Sequence, residues 1–109
     1  VPNRTLLLFF KLKAAWDRNF RISSEISHDI EWERGKLKKD RSDILALLDP
    51  DHGGQDINFS SLGGLLEDYG FLKPCLKDIS DDADAIAFYG RMEQRKVEDL
   101  IEQVMSLIE

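Results

Sequence analysis

The stretch that decides the fold class is DADAIAFYGRMEQRKVEDLIEQVMSLIE, residues 82–109. Small or apolar residues recur in it at alternating steps of three and four, which places them on one side of a helix as in a coiled-coil seam. The seam consists of Ala83, Ile86, Gly90, Glu93, Val97, Leu100, Val104 and Leu107, with glutamate its one polar member. We therefore predict one long amphipathic helix over residues 81–109, whose apolar edge packs against another helix.

The first part of the chain, residues 1–48, is also helical in pattern. Apolar residues keep helical spacing, and no Pro or Gly interrupts residues 3–34. A single helix over this region would be about 65 Å long. The alternative is two helices with a break near Arg21–Ser24, where Ser23 or Ser24 can cap the second one. We favour the break, because helices in globular proteins are shorter on average.

The segment between these regions is expected to be less regular. The residue before Pro50 avoids helical backbone angles, so the first region should end there. A loop is predicted over residues 49–60, and short helical elements over residues 61–79. The whole chain, residues 1–109, is predicted to be a single all-α domain of three to four helices. They would form a helical hairpin or bundle.

Charge is distributed unevenly along the chain. The 109 residues include 15 Lys or Arg and 21 Asp or Glu, which gives a net charge of −6. Residues 1–48 hold ten basic and seven acidic residues and carry +3, whereas residues 49–109 hold five and fourteen and carry −9. An acidic domain is a poor candidate for binding nucleic acid, so we expect none. The apolar run Leu6–Phe10 is far shorter than the ~20 residues that a membrane span needs.

The loop Asp49–Ser60 resembles the calcium-binding loop of EF-hand proteins. It opens with two aspartates at alternate positions, has Gly54 at its sixth position, and has an Ile-x-Phe pair downstream. Calcium needs six to eight oxygen ligands, including a bidentate carboxylate at the twelfth position, where this chain has Ser60. The resemblance therefore implies a degenerate helix-loop-helix that no longer holds metal. A calcium-regulated module is kept as an alternative function.

Two further patterns were considered as chemical sites. Glu25 and His28 have the E-x-x-H spacing of di-iron bundles, but the motif occurs once, which favours a solvated helix surface. The one cysteine, Cys75, lacks the sequence context of a nucleophile and is predicted to be a structural thiol. With one cysteine, the chain can form no internal disulfide, and we expect a cytoplasmic protein. We identify no catalytic residue, cofactor site or metal site.

The sequence thus favours a non-catalytic helical module for protein–protein interaction. It would self-associate or form a subunit of a larger complex through helix packing. The predicted partner-binding residues are Trp32, Val97, Leu100, Val104 and Leu107. Trp16 and Phe20 are also large enough to anchor an interface, although aromatic residues are more often found in cores. A secreted effector or inhibitor that occupies a target surface is the remaining alternative.

Overall fold

The structure of the protein, a computed structural model, describes residues 3–26 and 28–108. Within these residues the fold is all-α, as predicted, and contains no strand. The predicted count of three to four helices is too low. The described residues form six α-helices, α1 (Arg4–Ser23), α2 (Ile30–Leu48), α3 (Phe59–Asp68), α4 (Lys73–Ser80), α5 (Ala83–Tyr89) and α6 (Gln94–Ile108). One-turn 3-10 helices at residues 50–52, 54–56 and 70–72 lie in the connections.

The first 48 residues contain two helices and not one. The α1 helix is capped by Asn3, whose Oδ1 accepts a hydrogen bond from the Thr5 N–H at 2.8 Å. It ends at Ser23, and Glu25 then adopts a left-handed backbone conformation with φ of 56°. The second helix is capped by Asp29, which accepts from the Trp32 N–H at 3.0 Å. The break is thus near the favoured place, but an aspartate six residues later supplies the cap instead of a serine.

An ionic network joins α1 to α2. Arg18 contacts Asp40 at 2.7 Å and Glu33 at 3.2 Å, and Lys11 contacts Asp43 at 3.1 Å. The Asp40 and Glu33 residues are each only 8% exposed. Charged groups at this depth are tolerated only when paired, and removing one partner of a buried pair costs about 3–5 kcal/mol. The network therefore fixes the register of the hairpin.

The predicted single helix over residues 81–109 is wrong in one respect, because the structure has two helices there. The α5 helix is capped by Asp82, which accepts from the Ala85 N–H at 3.0 Å. It ends after Tyr89, where Gly90 takes a left-handed conformation with φ of 73°. A glycine adopts this conformation without steric cost and commonly ends a helix. Gly90 is therefore a helix terminator and not a member of a continuous seam.

The buried edge of α6 also differs from the predicted seam. Its buried residues are Val97, Ile101, Val104 and Ile108. Leu100 is half-buried, and Leu107 is 53% exposed. A stripe that uses positions 97, 101, 104 and 108 faces two neighbouring helices, α3 and α4, instead of one partner helix.

The helices pack around one core. The α1 helix packs chiefly against α2, and α5 also packs against α2. The α3 and α6 helices approach closely at Gly63, where a Cβ atom would lie 3.0 Å from the backbone oxygen of Ile108. The connection between α3 and α4 runs beside α1, held by the fully buried Leu72. This placement brings the aromatic residues of the connection onto one face of α1.

Candidate interaction surface

A continuous group of six aromatic side chains covers the side of the molecule where α1 meets the α3–α4 connection. We call this group the aromatic surface. It contains six of the ten Phe, Trp and Tyr residues of the chain. Its members are Phe9, Phe10, Trp16, Phe20, Tyr69 and Phe71. Such a concentration on one face sets this part of the molecule apart from the rest.

The rings contact one another in an unbroken series. From one end, the centroid of Phe10 lies 5.8 Å from that of Phe9, which lies 5.3 Å from Tyr69. Tyr69 lies 6.2 Å from Phe71. From the other end, Phe20 stacks on Trp16 at 5.4 Å, and Trp16 lies 4.7 Å from Phe71. These separations are within or near the range in which aromatic pairs contribute about 0.5–1.5 kcal/mol beyond area burial.

Two elements position these side chains. Phe9, Trp16 and Phe20 are separated by seven and four residues, so they project from one side of α1. Tyr69 follows the last residue of α3, and Phe71 lies in the 3-10 turn that follows. Because the next residue of that turn is buried in the core, the two rings are held beside α1 by the packing of the turn itself.

Much of the aromatic surface is open to solvent. The exposed fractions are 61% for Phe10, 50% for Phe20, and 43% each for Tyr69 and Phe71. Phe9 is buried, and Trp16 is half-buried beneath the others. Isolated exposed apolar residues are ordinary, but a contiguous patch of large rings is typical of a binding surface. The buried rings attach the patch to the core, and the exposed rings form its solvent-facing part.

One ion pair lies within the aromatic surface. The Lys13 Nζ is 5.5 Å from the centroid of the Trp16 ring and 3.0 Å from the Asp17 carboxylate. Both charged side chains remain about 40% exposed, at 41% and 39%. The pair adds no net charge, so it does not oppose contact with an uncharged surface.

Comparison with protein-family models, with curated proteins and with solved structures gave no match. None of the helices in the described ranges is both long and apolar enough to cross a membrane.

The structure separates the five residues predicted to bind a partner. Val97 and Val104 are 0% and 1% exposed and belong to the core of the chain, which leaves neither free for a partner. Leu100 and Leu107 line a shallow groove of about 170 Å³ between α6 and the loop after α2. Trp32 is 53% exposed on α2. The structure does not bring Trp32 together with the α6 residues, because Trp32 lies on α2 whereas α6 packs chiefly against α3 and α4.

The environment of Trp32 is cationic. The Arg18 guanidinium and the Lys36 ammonium each lie 5.5 Å from the centroid of its ring. Cations within about 6 Å of an indole face attract it electrostatically, and their alkyl stems cover apolar surface. Trp32 therefore contacts two cations of its own chain, while its side chain remains as exposed as the outer rings of the aromatic surface.

The loop that resembles an EF-hand forms hydrogen bonds within the chain. Asp49 is 1% exposed, and its carboxylate accepts from the Tyr89 hydroxyl at 2.5 Å and from the Asp51 N–H at 3.0 Å. Burial alone would raise the pKa of Asp49, but these hydrogen bonds lower it below its usual value of 3.8. No group of three acidic, histidine or cysteine side chains suited to a metal ion occurs among the described residues. Asp49 thus helps hold the loop to α5.

The other two chemical patterns are also placed by the structure. Glu25 and His28 lie in the connection between α1 and α2 and are exposed, so they do not share a helical face as their spacing predicted. Cys75 is buried in α4. Burial, with the nearby charge of Asp78, raises the pKa of the Cys75 thiol to about 11, which keeps it protonated and weakly nucleophilic at neutral pH.

Sequence reasoning singled out Trp16 and Phe20 but missed the remaining exposed rings of the aromatic surface. Phe10 lies in an apolar run, where periodicity assigns no face to it. Tyr69 and Phe71 flank Gly70 in a turn, a place where large apolar residues are unusual. That placement was the available signal, but it does not indicate which helix the rings would meet.

Proposed function

We propose that the chain is a non-catalytic helical interaction module that self-associates through the aromatic surface. The observation that carries this proposal is the unbroken series of six rings, four of them exposed. A ring that only fills a core has no reason to be half in water. Rings held rigidly at a surface lose little conformational entropy on binding, which is why aromatic residues dominate interface energetics.

The size of the aromatic surface agrees with pairwise association. An aromatic side chain buries 150–250 Å² in full, so four half-exposed rings offer about 400 Å² of apolar area. If such area makes up somewhat more than half of an interface, the whole contact covers about 700 Å² on each partner. Specific complexes of standard size bury about 800 Å² on each side. Two copies of this surface packed together would therefore form an interface close to the standard size.

The expected affinity is modest. Burying about 400 Å² of apolar area on each of two copies contributes roughly 20 kcal/mol at 25 cal/mol per Å². Lost translational and rotational freedom removes about 4–15 kcal/mol, and ordering of side chains removes more. The remainder, roughly 5–16 kcal/mol before side-chain ordering, includes the ~8 kcal/mol of a micromolar dissociation constant, which we take as the expected affinity. A reversible dimer is expected, and not a permanent one.

Sedimentation velocity over a protein concentration range of about 1 µM to 1 mM tests the proposal, because it brackets that affinity. The wild-type chain should pass from monomer to dimer. The double variant Phe10→Ser/Phe20→Ser should remain monomeric while keeping its circular dichroism spectrum, since both rings are exposed.

The matched control is Phe88→Ser. Phe88 is 57% exposed, between the values for Phe10 and Phe20, but it lies on α5 against Lys38. The Phe88→Ser variant should dimerise with the same affinity as the wild type. A wild-type chain that stays monomeric to the highest concentration, or a control that loses as much affinity as the double variant, would contradict the proposal.

A further inference from the structure

The outward side of α1 has a symmetric pattern. Phe10, Lys13, Asp17 and Phe20 follow one another at steps of three, four and three. The pattern reads the same from either end, apart from the opposite charges at its two inner positions. Ala15, at its centre, is 4% exposed and faces the core.

Helical geometry places all four side chains on the face opposite Ala15. At 3.6 residues per turn, each projects within roughly 40° of the direction that points away from this alanine. Phe10 and Phe20 lie five residues before and after Ala15, on opposite sides of the centre line of this face. Lys13 and Asp17 lie two residues before and after Ala15 and are also on opposite sides of that line. The exposure of both rings agrees with this outward direction.

From this pattern we infer the arrangement of the dimer, an inference that rests on the proposed self-association. Two copies pack α1 against α1 in antiparallel orientation, with the two-fold axis passing level with Ala15. Under this symmetry, Phe10 of each copy meets Phe20 of the other. Lys13 of each copy meets Asp17 of the other. Such a contact is isologous, since the same patch serves both copies.

The charges at the axis favour this register. In a single copy, Lys13 precedes Asp17 by four residues, and this orientation of an i,i+4 pair is the weaker one. In the dimer, the two lysines and two aspartates alternate around the axis, so each charge has an opposite neighbour in both copies. Removing water from the surrounding rings strengthens these attractions. A parallel arrangement or a shifted register would lose this complementarity.

Charge exchange tests the register directly. Lys13→Asp places four aspartates around the axis of its homodimer, and Asp17→Lys places four lysines there. Each variant alone should dimerise at least about tenfold more weakly than the wild type, because like charges oppose one another across the interface. An equimolar mixture of the two should recover an affinity close to that of the wild type, since every cross-copy pair is again of opposite charge.

The control uses the same spacing on another helix. Arg95 and Asp99 are exposed on α6, which packs against α3 and α4. Arg95→Asp and Asp99→Lys should each dimerise as the wild type does, alone or mixed. Circular dichroism melting of all four variants checks that the helices remain folded.

The possible outcomes separate the two proposals. Recovery in the mixture supports the two-fold register. If the wild type dimerises through its aromatic surface but the mixture does not recover, the register is wrong and the self-association stands. If the wild-type chain does not dimerise at all, both proposals fail.

Discussion

The buried contact between Tyr89 and Asp49 gives a prediction whose size and pH dependence both follow from the structure. The Asp49 carboxylate accepts a hydrogen bond from the Tyr89 hydroxyl at 2.5 Å. Asp49 is only 1% exposed. Burial, together with the hydrogen bond to the carboxylate, raises the pKa of Tyr89, so its hydroxyl stays protonated. At neutral pH a protonated donor thus faces a charged acceptor.

We predict that Tyr89→Phe lowers the free energy of unfolding by about 2 kcal/mol at pH 7. Hydrogen bonds to charged groups contribute about 1.5–3 kcal/mol, and here the acceptor would remain buried with only the Asp51 N–H as donor. A loss of this size is a substantial part of the 5–15 kcal/mol typical of a domain.

The difference between wild type and variant should depend on pH. In the wild type the pKa of Asp49 is below its unfolded value of 3.8, so its contribution is present above pH ~4 and lost as pH falls through the folded pKa. In Tyr89→Phe the Tyr89 hydrogen bond that lowers this pKa is gone, so the pKa of Asp49 is higher in the variant than in the wild type. The variant therefore takes up a proton at a higher pH than the wild type does, so the stability difference should shrink as pH falls towards and through the folded pKa of the wild-type Asp49.

Urea denaturation at several pH values measures this effect, and Tyr69→Phe is the control. The Tyr69 side chain is 43% exposed, and its hydroxyl forms no hydrogen bond with any described residue. Its removal should change stability by less than about 0.5 kcal/mol. Equal stability of the two variants at pH 7, or a Tyr89→Phe deficit that does not vary with pH, would refute the reasoning.

Two further stability predictions each compare the same type of substitution at two positions, one tightly packed and one more open, and both are checked by thermal melting. Gly54→Ala should lower the free energy of unfolding by more than about 3 kcal/mol, because a Cβ atom there would lie 2.1 Å from the Leu48 backbone oxygen. Gly64→Ala should raise it by up to about 1 kcal/mol, because a Cβ atom there meets open space and alanine favours the helical conformation of α3. Val97→Asp should lower the free energy of unfolding by more than about 4 kcal/mol, because it places a carboxyl group in the core. Leu100→Asp should lower it by less than about 2 kcal/mol, because Leu100 is only half-buried. Equal melting temperatures within either pair would contradict the packing described.

Local signals in the sequence predicted local structure well. Pro50 follows the end of α2, and the break in the first region occurs close to the expected serines. These features depend on a few adjacent residues, whose backbone preferences act without help from the rest of the fold. The helical class follows from the same kind of information, because a helix forms all its hydrogen bonds within one segment.

Periodicity alone could not show whether the C-terminal region forms one helix or the two helices α5 and α6. A stripe with steps of three and four persists through Gly90 because a short break can preserve the phase of the apolar positions. Which leucine or isoleucine of α6 is buried depends on whether one neighbour or two cover it, which is a tertiary property. Leu107 fits a single-partner seam, whereas the buried Ile108 fits the wider groove between α3 and α4.

The aromatic surface shows the same limit for function. Trp16 and Phe20 could be placed on one helical side from their spacing, but Phe71 is 55 residues away from Trp16 in sequence and reaches it only through the packing of the α3–α4 connection. Sequence reasoning therefore looked for the interface in the strongest periodic stripe. The fold buries Val97 and Val104 of that stripe but leaves Leu107 exposed, and it also leaves exposed a group of rings assembled from two separate segments.

A two-fold contact through α1 would also limit how far association through such a surface can proceed. An exposed apolar patch that binds an unrelated patch on the next copy leads to open-ended growth, whereas an isologous contact covers both patches at once and stops at two. The net charge of −6 on each copy opposes random encounters at a distance, with a range set by salt. At the axis itself, Lys13 and Asp17 cancel, so the repulsion is absent where contact forms. Charge and apolar pattern would thus together select one pairing over aggregation.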